Sequence, residues 1–139
     1  MKKAILSILL VLSLLAAAPA SAAYFADLGS LQQAIMKYSP DQLMASGPQV
    51  VELEGTISEI HWCGANNHYE FTLLVDDERA MAPIGEESPR LTVHFRLHKD
   101  EPPFKVGDEV EVHGSLNTMY SSVMVPQILL EYINGSDDF

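Results

Sequence analysis

Alternation of apolar and polar side chains over the larger part of the chain is the feature that most restricts its fold. From Val50 onward apolar residues recur at every second position in short runs, and segments containing glycine and proline separate the runs. A period of two is typical of strands that bury one face, because successive side chains point to opposite faces of a sheet. Five runs of this kind predict a mainly β domain over 49–134.

In the first predicted strand the apolar phase slips by one residue. Val51 and Leu53 alternate with acidic residues, whereas the later apolar positions are Ile60 and Trp62. An extra residue in one strand is a β-bulge, and Gly55 just before it permits a sharp bend. The first strand is therefore expected to be long and bent. The later strands are predicted over 69–75, 91–98, 110–116 and 123–133.

Two helix start signals precede the strands. Ser30 and Gln33 have the spacing of a capping box, and Ser39 begins a second signal with proline at the first helical position. A Gly-Pro pair then ends the helical pattern. The segment 23–48 is therefore predicted to form one or two short helices that cover part of the sheet, and the tail 135–139 is expected to fray.

The first 22 residues have the pattern of a secretory signal peptide. Two lysines precede an apolar run from Ala4 to Ala18, and Ala20-Ser21-Ala22 supplies the small residues that signal peptidase requires. The run is shorter than the about 20 residues that span a bilayer. We therefore expect cleavage after Ala22, export to the periplasm or the cell exterior, and no stable membrane insertion afterwards.

The composition is acidic, with 19 Asp and Glu against 8 Lys and Arg and a formal net charge of −11. Removal of Lys2 and Lys3 with the leader makes the remaining chain more negative still. An acidic chain repels polyphosphate at long range, so nucleic acid is not expected as a partner. The expected partner is a protein or a small ligand, such as a saccharide or a small anion.

Cys63 is the only cysteine, so no internal disulfide can form. Closing a four-residue loop over 64–67 places Cys63 opposite His68 and Trp62 opposite Tyr69. In this register Trp62 and Tyr69 share the core face, where Phe71 and Phe95 are expected to join them. His61, Cys63, His68 and Glu70 share the other face.

A thiol and imidazoles on one face allow three interpretations. His61, Cys63 and His68 could bind zinc or copper, with Glu70 as a fourth ligand. Without a metal, His68 could lower the pKa of Cys63 and make the thiol reactive. The third interpretation is that the hairpin end is inert, and in that case no cofactor is expected.

The outward side of the second and third strands is a separate candidate site. Its residues are Glu70, Thr72, Thr92, His94, Arg96 and His98. Histidine and arginine on this face could bind an anionic group of a ligand or partner. No acid–base pair or nucleophile constellation accompanies them, so no catalytic residue is assigned and the protein is not expected to be an enzyme.

The runs 51–57 and 106–114 carry a resemblance to a known fold. A long bent first strand and a Val-Gly-Asp turn before the fourth strand resemble the OB-fold, a five-stranded Greek-key barrel. With the preceding helices, the chain resembles the exported bacterial OB-fold proteins, including the tRNA-anticodon-like domains. A five-stranded sandwich of another topology is the structural alternative.

The resemblance implies that ligands dock on the face of the second and third strands. The sequence therefore predicts an exported, acidic OB-fold binding or accessory module. The alternative function is that of a metal-binding or redox-active protein centred on His61, Cys63 and His68.

Overall fold

The structure, a computed structural model, describes residues 23–64 and 67–139. The predicted signal peptide, 1–22, lies outside the described residues, as do residues 65 and 66 of the first hairpin loop. Within the described part of the chain, no helix is both long enough and apolar enough to cross a membrane.

Five strands close into a barrel behind two short helices. The elements are β1 (Ala23–Phe25), α1 (Leu28–Lys37), α2 (Pro40–Ala45), β2 (Gln49–Trp62), β3 (His68–Leu74), β4 (Arg90–Arg96), β5 (Glu109–Leu116) and β6 (Gln127–Ile133). The strand order is β1-β2-β3-β4-β6-β5, and an additional β2–β5 pairing closes the barrel. Strands β4 and β6 are parallel, as is the short β1 with β2. This is the Greek-key arrangement of the OB-fold, so the predicted barrel is confirmed and the sandwich alternative is wrong.

β2 is the long bent strand that the phase slip predicts. It spans 14 residues, and its first half pairs with β5 while its second half pairs with β3. Its register with β3 shifts between Ile57 and Glu59, which is the bulge expected after Gly55. A Cβ on Gly55 would collide with the carbonyl oxygen of Leu74, so the backbones approach too closely there for any larger residue.

The hairpin between β2 and β3 has the predicted register. Trp62 pairs with Tyr69, and the backbone N–H of Cys63 donates to the carbonyl oxygen of His68 at 3.0 Å. The four-residue loop that the sequence predicts therefore sets which side chains of the two strands are neighbours.

An aromatic cluster forms the centre of the core. Phe71 and Phe95 are buried as predicted, and Phe104 packs edge-on against both, with ring centroids 5.4 and 5.1 Å away. Tyr69 is partly buried and stacks on Phe95. The other buried apolar residues are Leu28, Leu31, Leu43, Val51, Leu53, Ile57, Leu73, Val75, Leu91, Val93, Leu97, Val110, Val112, Leu116, Ile128, Ile133 and Phe139.

The prediction that Trp62 is a core residue is wrong. Trp62 pairs with Tyr69 across the hairpin, yet it is 61% exposed. It is the last residue of β2, where the hairpin extends past the elements that cover the core. Alternation assigned the side of the strand correctly, but burial also requires a packing partner on that side.

The two helices begin at side-chain caps, one of them at an unexpected residue. The Asp27 carboxylate caps α1 and accepts the backbone N–H of Ser30 at 2.7 Å, so the predicted cap at Ser30 is wrong by three positions. The second signal is confirmed, because Ser39 and Gln42 form both hydrogen bonds of a capping box at 3.2 and 2.9 Å.

The long segment 75–89 contains no helix or strand, but polar side chains fasten it to α1. The buried Gln32 amide accepts the backbone N–H of Met81 at 2.7 Å and donates to its carbonyl oxygen at 2.8 Å. Asp77 accepts the backbone N–H of Gly29, in the first turn of α1, at 2.9 Å. The segment is therefore held at two points rather than freely exposed.

Replacing Asp77 with alanine is expected to lower the free energy of unfolding by about 1 kcal/mol at neutral pH, the usual cost of losing a helix cap. The bond from Gly29 is the main cause that keeps the pKa of Asp77 below its ordinary value, against a smaller effect of desolvation. Because the folded-state pKa is lowered, the ionised carboxylate stabilises the protein at any pH above the ordinary pKa of Asp. This stabilisation is lost as the pH falls through the folded-state pKa.

Urea unfolding of wild type and Asp77→Ala at a series of pH values measures this contribution, with the exposed Asp76→Ala as control. The difference between wild type and Asp77→Ala should shrink as the pH falls below about 4. A difference that stays constant down to strongly acid pH would contradict the assignment of Asp77 as an ionised acceptor for the first turn of α1.

The segment 135–139, expected to fray, is anchored at Phe139. The Phe139 side chain is buried, with its ring centroid 6.1 Å from that of Phe95. Its backbone oxygen accepts the backbone N–H of His98 at 3.0 Å. Phe139 therefore adds its ring to the core. The sequence does not indicate this contact, because the residues just before Phe139 are polar.

Candidate functional site

The outer face of β3 and β4 brings together five of the six predicted ligand-binding residues. Cross-strand pairing places Glu70, Thr72, Thr92, His94 and Arg96 beside one another. The sixth, His98, lies beyond the end of β4, where it is exposed and its backbone bonds to Phe139. The face therefore forms as the alternation predicts, but it ends at Arg96.

A chain of hydrogen bonds crosses this face from β3 to β6. His68 Nε2 lies 3.1 Å from His94 Nδ1, and the two imidazole rings stack with centroids 5.2 Å apart. His94 Nε2 lies 2.6 Å from Gln127 Oε1, and Gln127 Nε2 donates to the carbonyl oxygen of Tyr120 at 3.1 Å.

This network orients the His94 ring. Because the Gln127 amide nitrogen donates to Tyr120, its oxygen faces His94 and can only accept. His94 therefore carries its proton on Nε2, and the lone pair of Nδ1 is directed at His68.

A cleft of about 430 Å³ lies over these histidines. It is lined by His68, His94, Asn117, Tyr120, Gln127 and Leu129. Tyr120 is 71% exposed and Leu129 is 45% exposed, so the cleft offers a free aromatic ring and an apolar floor. Asn117 and Tyr120 belong to the β5–β6 loop, one of the two loops that border the ligand face of OB-folds.

The β5–β6 loop is positioned by bonds to the start of β6. The Asn117 backbone N–H donates to the Gln127 carbonyl oxygen at 2.7 Å, and the Ser121 hydroxyl accepts the Gln127 N–H at 2.9 Å. These contacts hold Tyr120 beside the cleft without burying its ring.

Asn117, Gln127 and Leu129 belong to this site although the sequence did not predict them as site residues. Gln127 and Leu129 reach His94 through the parallel pairing of β4 with β6, which joins segments more than 30 residues apart in the sequence. Nothing in the local pattern of β6 indicates that pairing. The one feature of the sequence that could have indicated the cleft is Tyr120, a tyrosine in the loop between two predicted strands.

The structure brings together a set of metal-ligating side chains that differs by one residue from the predicted set. Ligand atoms of Cys63, His68 and His94 all lie within 4.8 Å of one another. His61 is not in this group, because its imidazole turns along its own strand and lies 2.9 Å from Glu59. The predicted Cys63–His68 proximity is therefore present, but His94 stands where His61 was expected.

The surroundings of Cys63 do not favour the activated thiol that was one of the three interpretations. Partial desolvation, together with the nearby Glu70 carboxylate, raises the pKa of Cys63 above its ordinary value. The Cys63 sulfur lies 3.5 Å from the backbone oxygen of His68, so it contacts the carbonyl rather than an imidazolium. The thiol is therefore protonated at neutral pH in the metal-free protein.

Carboxylates are distributed unevenly around the barrel. Glu54 lies directly opposite Glu111 in the β2–β5 pair, and Glu52, Asp76 and Glu109 also line the grooves on that side. Strand β4 is separated from β2 by β3 and from β5 by β6, so its outer face is remote from these acids. The outward residues of β3 and β4 are His68, Glu70, Thr72, Leu74, Arg90, Thr92, His94 and Arg96, with a single carboxylate among them.

Comparison with known proteins finds similarity in structure but not in sequence. No protein-family profile matches the chain, and no curated protein matches it. A small single-stranded DNA-binding protein from Streptomyces coelicolor shares 15% identity and a TM-score of 0.44, covering 65% of this chain and 93% of its own.

Two other solved structures are also similar to this chain. A Klebsiella pneumoniae protein provisionally described as a nucleic acid-binding lipoprotein shares 18% identity and a TM-score of 0.49, covering 78% of this chain and 87% of its own. The yeast Stn1 and Ten1 structure shares 11% identity and a TM-score of 0.44, covering 81% of this chain and 62% of its own.

The expectation that nucleic acid is not a partner is corrected by these findings. Proteins similar in structure to this chain are described as single-stranded DNA-binding and as nucleic acid-binding. The expectation used the net charge of the whole chain, whereas a group of carboxylates (Glu52, Glu54, Asp76, Glu109 and Glu111) lines grooves on the side of the barrel remote from β4. Net charge does not describe the potential at a local site.

Proposed function

We propose that this chain is a non-catalytic OB-fold binding module, exported from the cytoplasm, that holds a ring-bearing ligand in the cleft beside Tyr120. The observation that carries the proposal is the cleft itself, which lies on the outer β3–β4–β6 surface and is bordered by the β5–β6 loop. OB-fold proteins commonly bind oligonucleotides and oligosaccharides at this place. Export is supported by the leader-like sequence of 1–22.

The lining of the cleft suits a planar ring more than a compact ion. Tyr120 presents an exposed aromatic face, and Leu129 provides an apolar contact opposite polar groups. Asn117 lines the cleft with an amide that can donate and accept hydrogen bonds. Proteins that bind single-stranded nucleic acids without strict sequence preference stack the bases on aromatic side chains and add a few polar contacts.

A single-stranded oligonucleotide is the ligand that the local charge favours. Arg96 is exposed at the end of β4, and Glu70 is the only carboxylate on the outward positions of β3 and β4. A phosphate backbone following β4 would meet Arg96 and stay away from the acidic side of the barrel. The small number of cations predicts modest affinity with a shallow dependence on salt.

Replacing Tyr120 with alanine is expected to weaken binding of a labelled oligothymidylate by about 5- to 150-fold, the range that corresponds to losing one base–aromatic stack. Fluorescence anisotropy titrations at several salt concentrations measure this change. Tyr120→Phe should bind like wild type, because the ring rather than the hydroxyl makes the contact.

Tyr24→Ala is the matched control, since Tyr24 is a similarly exposed tyrosine on β1, beside Glu52 on the acidic side. Equal weakening by the Tyr24 and Tyr120 variants would contradict the proposed site. Binding of a neutral oligosaccharide that depends on Tyr120, with no oligothymidylate binding, would keep the cleft and overturn the proposed ligand class.

A further inference from the structure

Three metal-ligating side chains meet at the edge of the cleft, from three separated positions in the sequence. Ligand atoms of Cys63, His68 and His94 lie within 4.8 Å of one another, and the two imidazole nitrogens are 3.1 Å apart. We propose that Cys63 Sγ, His68 Nε2 and His94 Nδ1 form a binding site for a zinc ion. This site is independent of whether the cleft binds an oligonucleotide.

The donor spacing is close to what zinc requires. With zinc–nitrogen bonds of about 2.0–2.1 Å and zinc–sulfur bonds of about 2.3 Å, neighbouring donors in a tetrahedron lie about 3.3–3.6 Å apart. The imidazole nitrogens already meet this spacing within a few tenths of an ångström. Cys63 is exposed at the hairpin end, so a side-chain movement can bring its sulfur to the same centre.

The hydrogen bonds around His94 prepare it as a ligand. Gln127 Oε1 accepts the Nε2 proton of His94, which leaves Nδ1 unprotonated and facing His68 Nε2, a second member of the group. A ligand histidine that donates its second N–H to a fixed oxygen is the usual outer-shell arrangement of zinc sites. Because Gln127 is itself fixed by Tyr120, the ring cannot easily turn away.

Binding of zinc would replace the hydrogen bond that joins His68 and His94 in the metal-free protein. In that state the N–H of His68 Nε2 donates a hydrogen bond to His94 Nδ1. When both nitrogens bind the ion, this proton must move to the other ring nitrogen of His68, its own Nδ1. The Cys63 thiol loses its proton to solvent. Glu70 Oε2 lies 3.7 Å from His94 Nδ1, but it is outside the group whose ligand atoms all lie within 4.8 Å of one another, so the site has three protein ligands and an open fourth position.

Zinc titration of the purified protein in competition with a chromophoric chelator tests the site. The wild type should bind one zinc ion per chain, and Cys63→Ser, His68→Ala and His94→Ala should each reduce the affinity by more than about 100-fold, beyond the typical outer-shell effect. Gln127→Leu should reduce it by about 10- to 100-fold, because it removes only the acceptor for His94.

Two control variants and a spectrum make the outcome decisive. His61→Ala and His98→Ala remove exposed histidines that lie outside the group, and they should bind zinc like wild type. Cobalt in place of zinc should give a thiolate-to-metal absorption band that Cys63→Ser abolishes. Circular dichroism of the metal-free variants checks that each one is folded.

The site is overturned if the folded wild type binds no zinc in competition with the chelator. Equal loss of affinity in His61→Ala and His94→Ala would also overturn it, because that result describes adventitious binding to surface histidines. A cobalt complex without the thiolate band excludes Cys63 as a ligand and contradicts the proposed set.

Discussion

Replacing Phe71 with alanine is expected to lower the free energy of unfolding by about 3–5 kcal/mol, the usual cost of truncating a buried phenylalanine. Phe71 is fully buried on β3, with ring centroids 5.8 Å from Phe95 and 5.4 Å from Phe104. Truncation removes apolar contacts with Phe95 of β4 and with Phe104 in the segment between β4 and β5, and it leaves a cavity that the closed barrel cannot easily collapse. Urea unfolding followed by circular dichroism measures the change.

Tyr120→Ala is the control for this measurement, because it removes an aromatic ring of similar size from an exposed loop. Its effect on stability should be within about 0.5 kcal/mol of zero, as for most surface substitutions. A Phe71→Ala protein with the unfolding curve of wild type would mean that the outward and inward faces of β3 are assigned the wrong way round.

Replacing Gly114 with alanine is expected to cost about 3 kcal/mol, the upper part of the range for overpacking a close contact. A Cβ at this position would collide with the carbonyl oxygen of Leu129 and lie 3.0 Å from its carbonyl carbon. The obstacle is backbone, so β5 and β6 must separate at the bulge where their register shifts. Because Leu129 also lines the cleft, Gly114→Ala should weaken ligand binding as well as lower the stability.

Gly135→Ala separates steric collision from backbone strain. Gly135 has a positive φ of 79°, but a Cβ there would meet no atom within 4 Å. Its replacement should cost only about 1–2 kcal/mol, the price of a left-handed backbone for a residue with a side chain. If Gly114→Ala is no worse than Gly135→Ala, the close approach of β5 to Leu129 is not present in solution.

Local patterns were sufficient for much of the fold. Alternation identified all five barrel strands, although β6 begins at Gln127 rather than at residue 123. The phase slip after Gly55 located the bulge in β2. The loop length between Cys63 and His68 fixed the register of the hairpin, because a short loop leaves few ways to pair the strands. The three-residue β1 was missed, since so short a strand carries no alternation.

The errors share one physical origin, which is that they concern contacts between distant segments. Trp62 has the alternation of a core residue, but no other element extends far enough to cover it. His94 joins Cys63 and His68 because β4 pairs with β3 after a long loop, and that loop does not fix the register. Only the tertiary pairing of β4 with β6 brings Gln127 to His94.

Charge was misjudged for a similar reason. Counting acidic residues gives the net charge of the whole chain, which is −11, but it does not say where those residues lie. Cross-strand pairing places Glu54 and Glu111 together on the side of the barrel remote from β4. The outer face of β3 and β4 keeps a nearly balanced charge, so the two sides of one barrel present different surfaces to a ligand.

The central claim is that the cleft beside Tyr120 is the ligand-binding site of this barrel. The most direct test is a nuclear magnetic resonance titration of the isotope-labelled protein with an oligothymidylate, following the backbone amide signals. The shifts should be concentrated at His94, Tyr120 and Gln127, and the signals of Glu54 and Glu111 should be unchanged. Shifts confined to the Glu54–Glu111 side, or no shifts at a saturating excess of the oligonucleotide, would contradict it.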